Sequence, residues 1–113
     1  MSISYSTFFA PTVLGTAAAT LYAVPATPAS VLLRGARLRL TNTTSGPVAA
    51  TVYAVPSAGT AGTGNAFVAG KTIAGNDYLD IDVPIMGPGA TLQALAGVGA
   101  ALTAHMLSGS LFA

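Results

Sequence analysis

Turn sequences cut this chain into short pieces, and their spacing limits the possible folds more than any other feature. Clusters of Pro, Gly, Asn and Asp recur roughly every eight to twelve residues. They lie around Pro25 and Pro28, at 42–47 (NTTSGP), 57–65 (SAGTAGTGN), 74–77 (AGND) and 86–89 (MGPG). The runs between them are rich in Val, Leu, Ile, Thr and Tyr, and none keeps a helical period with capping residues at its ends. The pattern predicts strands at about 18–24, 31–41, 48–55, 67–73, 77–83, 90–96 and 101–111. About seven short strands predict an all-β fold, an antiparallel two-sheet β-sandwich. An Ig-like arrangement is the first expectation, with a jelly roll as the alternative. The sandwich domain is expected over residues 17–113, preceded by an N-terminal arm of residues 1–16.

Two of the predicted strands end in nearly the same heptad, TLYAVPA at 20–26 and TVYAVPS at 51–57. The flanking residues, 27–50 and 58–81, do not align, which argues against an internal duplication. Within each copy Leu21 or Val52 and Ala23 or Ala54 alternate with Tyr22 or Tyr53 and Val24 or Val55, the period of two that a strand requires. Pro25 and Pro56 then remove a ladder donor and end the strand. Both heptads are therefore expected to enter loops at the same rim of the sandwich, with their tyrosines in matching places.

Charge separates this chain from an ordinary soluble domain. Only 6% of its 113 residues are charged, against about a quarter in a typical domain. Such a surface predicts a life packed against neighbours. The basic residues, Arg34, Arg37, Arg39 and Lys71, form no stripe able to neutralise a nucleic-acid backbone, so no nucleic-acid partner is expected. The absence of cysteine excludes a disulfide framework and thiolate chemistry and fits synthesis in a reducing cytoplasm. The opening MSISYSTFF lacks a positive region followed by a long apolar run, so no secretory signal is expected. Asn42-Thr43-Thr44 matches a glycosylation sequon and is read as a chance match. Residues 90–113 carry no charge apart from His105 and could in length span a bilayer, which would suit a small membrane protein such as a holin. Their Gly, Thr, Ser and Gln content fits two strands joined by the GVG turn better, so no membrane partner is expected.

Few constellations could carry chemistry. All three carboxylates lie in NDYLDID, where Asp80 and Asp82 share a strand face with Tyr78. They fall short of the oxygen count a calcium site needs, and no metal is expected. Arg37 and Arg39 alternate in the same way in RLRL, which predicts cross-strand charge pairs with Asp80 and Asp82. No nucleophile elbow surrounds any serine that His105 could serve, so no catalytic residues and no enzyme activity are expected. The glycines at 59–64 lack the spacing and the Lys-Ser/Thr of a phosphate loop, so they read as a flexible surface loop and no cofactor is expected. Tyr5, Phe8 and Phe9 gather aromatics before Pro11, where they could anchor an interface or form a first strand.

The pattern of residues 17–111 resembles a group of small structural proteins of tailed bacteriophages. The shared features are a strand ending LY-x-VP (residues 21–25), one ending L-T-N-T-S-G (matched by 40–46), and the VPSAGTAGTGNA stretch (55–66), with further matches at 79–83 and 87–92. The stretch at 55–66 is the most specific part, and residues 1–16 fall outside the resemblance. The resemblance implies a β-sandwich virion protein made in the host cytoplasm, a capsid decoration or cement protein in first place. Its partners would be the major capsid protein or other virion proteins, and it would act as a homo-oligomer, a trimer before a dimer. A tail- or fibre-associated binding module is the alternative.

Overall fold

The computed structural model describes residues 10–27 and 31–112 of the chain. Eight strands follow one another: β1 (Thr12–Val13), β2 (Ala19–Ala23), β3 (Leu32–Asn42), β4 (Val48–Val55), β5 (Ala66–Ile73), β6 (Tyr78–Asp82), β7 (Thr91–Ala96) and β8 (Leu102–Phe112). There is no helix among the described residues. They form two four-stranded antiparallel sheets, β1-β8-β3-β6 and β2-β7-β4-β5. The all-β sandwich is as the turn spacing predicts.

The strand order corrects the first expectation for its topology. An Ig-like sandwich places its first, second, fifth and fourth strands in one sheet, whereas here β1 pairs with β8, β2 with β7, β3 with β6 and β4 with β5. These four pairings describe one long antiparallel ribbon. The ribbon is rolled so that β3 also pairs with β8, and β4 with β7. That is the eight-stranded jelly roll, the alternative expectation. The additional strand is β1. It lies within the segment assigned to the arm, and Leu14 beyond it is buried in the core, so the sandwich reaches back to Thr12.

Alternation explains why each strand forms. In β7, Leu92, Ala94 and Ala96 are buried while Thr91, Gln93 and Leu95 face outward. In β3, Leu38, Leu40 and Asn42 point inward between Arg37, Arg39 and Thr41. The core joins both sheets through Leu33, Leu38, Leu40, Val52, Leu92 and Leu102, all fully buried. Alanines are also here: Ala36, Ala50, Ala90, Ala94, Ala96, Ala101 and Ala104 let the two inner faces pack closely.

The connections divide between two rims. One rim gathers the turns β1–β2, β3–β4, β5–β6 and β7–β8, which are tied to one another by backbone bonds such as Leu14 N to Leu102 O (2.8 Å) and Asn76 N to Thr44 O (2.8 Å). The opposite rim carries the longer connections β2–β3, β4–β5 and β6–β7, and both heptads end there. There Val24 N donates to Ala90 O (2.8 Å) and Leu33 pairs with Met86.

Candidate interaction surface

The outer face of the sheet β1-β8-β3-β6 gathers most of the ionisable side chains. Register sets Arg37 opposite Asp82, Arg39 opposite Asp80 and Thr41 opposite Tyr78. The Arg39 guanidinium grips Asp80 through two bonds, Nε to Oδ1 at 2.7 Å and Nη2 to Oδ2 at 3.0 Å. Its Cζ also lies 4.1 Å from the centroid of the Tyr78 ring, a cation–π contact. That hydrogen-bonded fork holds the Asp80 carboxyl below the usual carboxylate range and raises Arg39 in turn. Arg37 Nε reaches Asp82 Oδ1 at 3.1 Å, but both side chains are largely in water, so this pair is weak. The structure thus brings together the four charged residues that the sequence pattern associates. Their role is register: slipping β6 by one residue would set Leu79 and Ile81 opposite the arginines.

His105 lies on β8 directly across from Arg39. It is half-buried, and its Nδ1 is buried with no hydrogen-bond partner among the described residues. Ser108 on the same strand donates to the Gly35 carbonyl at 3.1 Å. Among the described residues no group of three His, Cys, Asp or Glu could hold a metal ion.

One neighbouring row of this face carries no charge. Val13, Thr103, Thr41 and Tyr78 run side by side across all four strands, with Val13 and Tyr78 exposed at its ends. The flank of the sandwich is open as well. There the last strand of each sheet, β5 and β6, leaves an open groove of about 630 Å³ lined by Phe67, Val68, Lys71, Leu79, Asp80 and Ile81. Phe67, Val68 and Leu79 pack against the core yet remain partly exposed.

The two heptads do end at one rim, on either side of β7: Ala23 and Val55 both pair with Thr91. Their tyrosines nevertheless part. A register shift between Thr20 and Tyr22 sets Tyr22 opposite the fully buried Leu92, against the core, where burial raises its pKa. Tyr53 stands opposite Gln93 on the outer face. The uniform alternation expected for both copies therefore fails in β2, where Leu21, Tyr22 and Val24 all contact the core, and in β4 it holds through Val52 and Ala54 but not at Val55, which is buried.

Asn42 is the residue whose importance sequence reasoning missed. It is 0% exposed and fully bonded. Its Nδ2 serves the carbonyls of Gly46 (2.8 Å), Ile73 (3.0 Å) and Ala74 (3.2 Å), and its Oδ1 accepts from Thr44 N (3.0 Å) and Thr44 Oγ1 (2.7 Å). Such burial excludes it as a glycan acceptor. The loop at 56–65 likewise has internal order, because Asn65 donates to Thr60 O (2.8 Å) and accepts from Gly62 N (3.1 Å). Tyr5, Phe8 and Phe9 lie outside the described residues. The uncharged run at 90–112 forms β7 and β8, one in each sheet, and no helix among the described residues is long and apolar enough to cross a membrane.

Comparison of the chain with protein-family models, with curated proteins and with solved structures finds no match in any of the three. The phage-protein resemblance therefore stands on its own motifs alone.

Proposed function

We propose that the chain is a non-enzymatic structural protein of a tailed-phage virion, acting as a capsid decoration or cement protein. The observation that carries this reading is the pairing of scarce charge. Arg37 and Arg39 bond Asp82 and Asp80 within the domain, leaving an uncharged row and a partly apolar groove for contact with other proteins. The jelly-roll architecture recurs in viral capsid domains, though it also serves unrelated functions, and the motifs at 21–25, 40–46 and 55–66 point the same way. Stabilisation would come from apolar burial across subunit boundaries. About 1,000 Å² at roughly 25 cal/mol/Å² is about 25 kcal/mol gross, much reduced by the cost of association. The domain would act as a homo-oligomer, a trimer before a dimer, against the major capsid protein.

A second reading, a tail- or fibre-associated binding module, is favoured by the rim where the β4–β5 and β6–β7 connections meet, with Ile85 71% exposed. Copy number decides between them. Quantitative mass spectrometry of virions should find the protein at a level comparable to the shell subunit; only a few copies per particle would give the tail reading its place. Deleting residues 1–10 should leave the β-sheet spectrum intact and strongly weaken attachment to purified shells. Undiminished decoration by the truncated chain would remove the arm as anchor.

A further inference from the structure

We propose that the β5–β6 groove is the docking site for residues 1–9 of a second copy of this chain, laid as an added strand along the edge of β6. The reasoning begins with the two edges. Strand β5 is protected: its register with β4 shifts twice, and Gly70 holds φ at +60° with its N–H bonded to Thr51 Oγ1 (3.1 Å). Such a bulge bends an edge away from further pairing. Strand β6 has no such device. It pairs on one side only, with β3, in unbroken register from Tyr78 to Asp82. Its free side borders the groove, where Phe67, Val68 and Leu79 remain partly exposed.

The occupant follows from the first residues of the sequence. Met1, Ile3 and Tyr5 alternate with Ser2, Ser4 and Ser6, the period of a strand with one apolar and one hydroxyl face. Added to β6, the apolar face would close the groove over Phe67 and Val68. The serines would emerge beside Asp80 and Asp82, to whose carboxylates they can donate. Recognition would combine main-chain hydrogen bonds with alternate side-chain pockets.

Reach favours a second copy over the same chain. Strand β1 enters at the opposite edge of this sheet, with β8 and β3 between it and β6. A strand beyond β6 lies four spacings of about 4.8 Å away, about 19 Å. At about 3.3 Å per residue a straight path uses about six residues, and the actual path must pass around a rim or across a face. Too little of the nine-residue segment remains to pair. In a head-to-tail ring, the β1 side of one subunit instead faces the β6 side of the next, and each arm crosses directly into its neighbour.

The chain has no cysteine, so disulfide trapping has a clean background. Full-length Ile3→Cys and Val68→Cys variants, each checked by circular dichroism, are mixed and oxidised. We expect a mixed Ile3→Cys/Val68→Cys dimer as the main product, and its loss when Thr16→Cys, at the other rim, replaces Val68→Cys. The double variant should give an interchain ladder. An intrachain bond in the double variant, or no bond in the mixture, overturns the proposal. As a second measurement, the full-length Ile3→Asp/Tyr5→Asp variant should sediment as a monomer with an unchanged β-sheet spectrum; an unchanged oligomer also overturns it. Both experiments use the purified chain, so their failure is separate from failure of the virion reading, which shell binding and copy number address.

Discussion

Two parts of the sandwich, at opposite rims, are built on opposite plans. The rim of short turns is locked from within: Asn42 reaches from the end of β3 to the carbonyls of Gly46, Ile73 and Ala74, fastening the β3–β4 turn to the β5–β6 turn. Gly75 sits so close to that partner turn that an added Cβ would collide with the Ser45 carbonyl oxygen. At the other rim, the 56–65 connection is held by bonds among its own exposed residues, and Gly62 and Gly64 face open space. A rim bonded across its turns transmits any change to two sheets at once. A self-contained connection such as 56–65 confines it to one, while the β2–β3 and β6–β7 connections beside it are joined by Val24 N to Ala90 O (2.8 Å) and Gly89 N to Val24 O (3.1 Å). The first plan suits stability and the second suits variation for binding.

Substitutions can break this contrast. The largest effect is expected for Asn42→Ala, which removes five hydrogen bonds from a fully buried site and should cost about 3 kcal/mol, read as a lower urea midpoint with unchanged m-value. A loss under about 0.5 kcal/mol, the range of ordinary surface changes, would show that the hub is dispensable. Gly75→Ala should follow at roughly 2 kcal/mol, because backbone rather than a flexible side chain must give way. Asp80→Asn should destabilise less, with a pH signature. The folded-state pKa of Asp80 is depressed by Arg39, so its contribution is present above the normal carboxylate range, near pH 4, and is lost as pH falls through the folded value. The stability gap between wild type and Asp80→Asn should therefore close on acidification below about pH 4; a gap independent of pH would mean the fork adds nothing. The smallest effect belongs to the other rim: doubling the 56–65 connection with about ten Gly and Ser residues inserted after Ala58 should cost under about 1 kcal/mol. A larger loss would mean that this connection too is coupled to its neighbours.

How much of this was legible in the sequence depends on the range of the interaction. Strand positions were, because alternation and turn residues are local: the predicted 48–55 strand is β4 as observed, and 31–41 falls one residue short of β3 at its C-terminal end. The Arg–Asp pairing could be read because RLRL and LDID carry complementary charges at the same period. Topology could not, since β1–β8 and β2–β7 join opposite ends of the chain with no local mark. Nor could the parting of the two tyrosines, because the shift beside Leu21 is set by β2's fit to β7 rather than by its own residues. Asn42 was hidden for a different reason. An Asn before Thr-Thr-Ser-Gly reads as one more turn residue, and only the approach of residues 73–74 turns its side chain into a buried hub.

The rolled ribbon also determines when the protein can come into being during synthesis. The final two strands of the eight, β7 and β8, each occupy an inner position, one in each sheet. A nascent chain that has just released β6 holds β3 against β6 and β4 against β5, but β1 and β2 have no strands to join. Both apolar inner faces are then incomplete, and non-local pairing of this kind is slow. One sheet can close only when β7 emerges and the other only when β8 does, so a partly made subunit presents no finished sandwich for assembly.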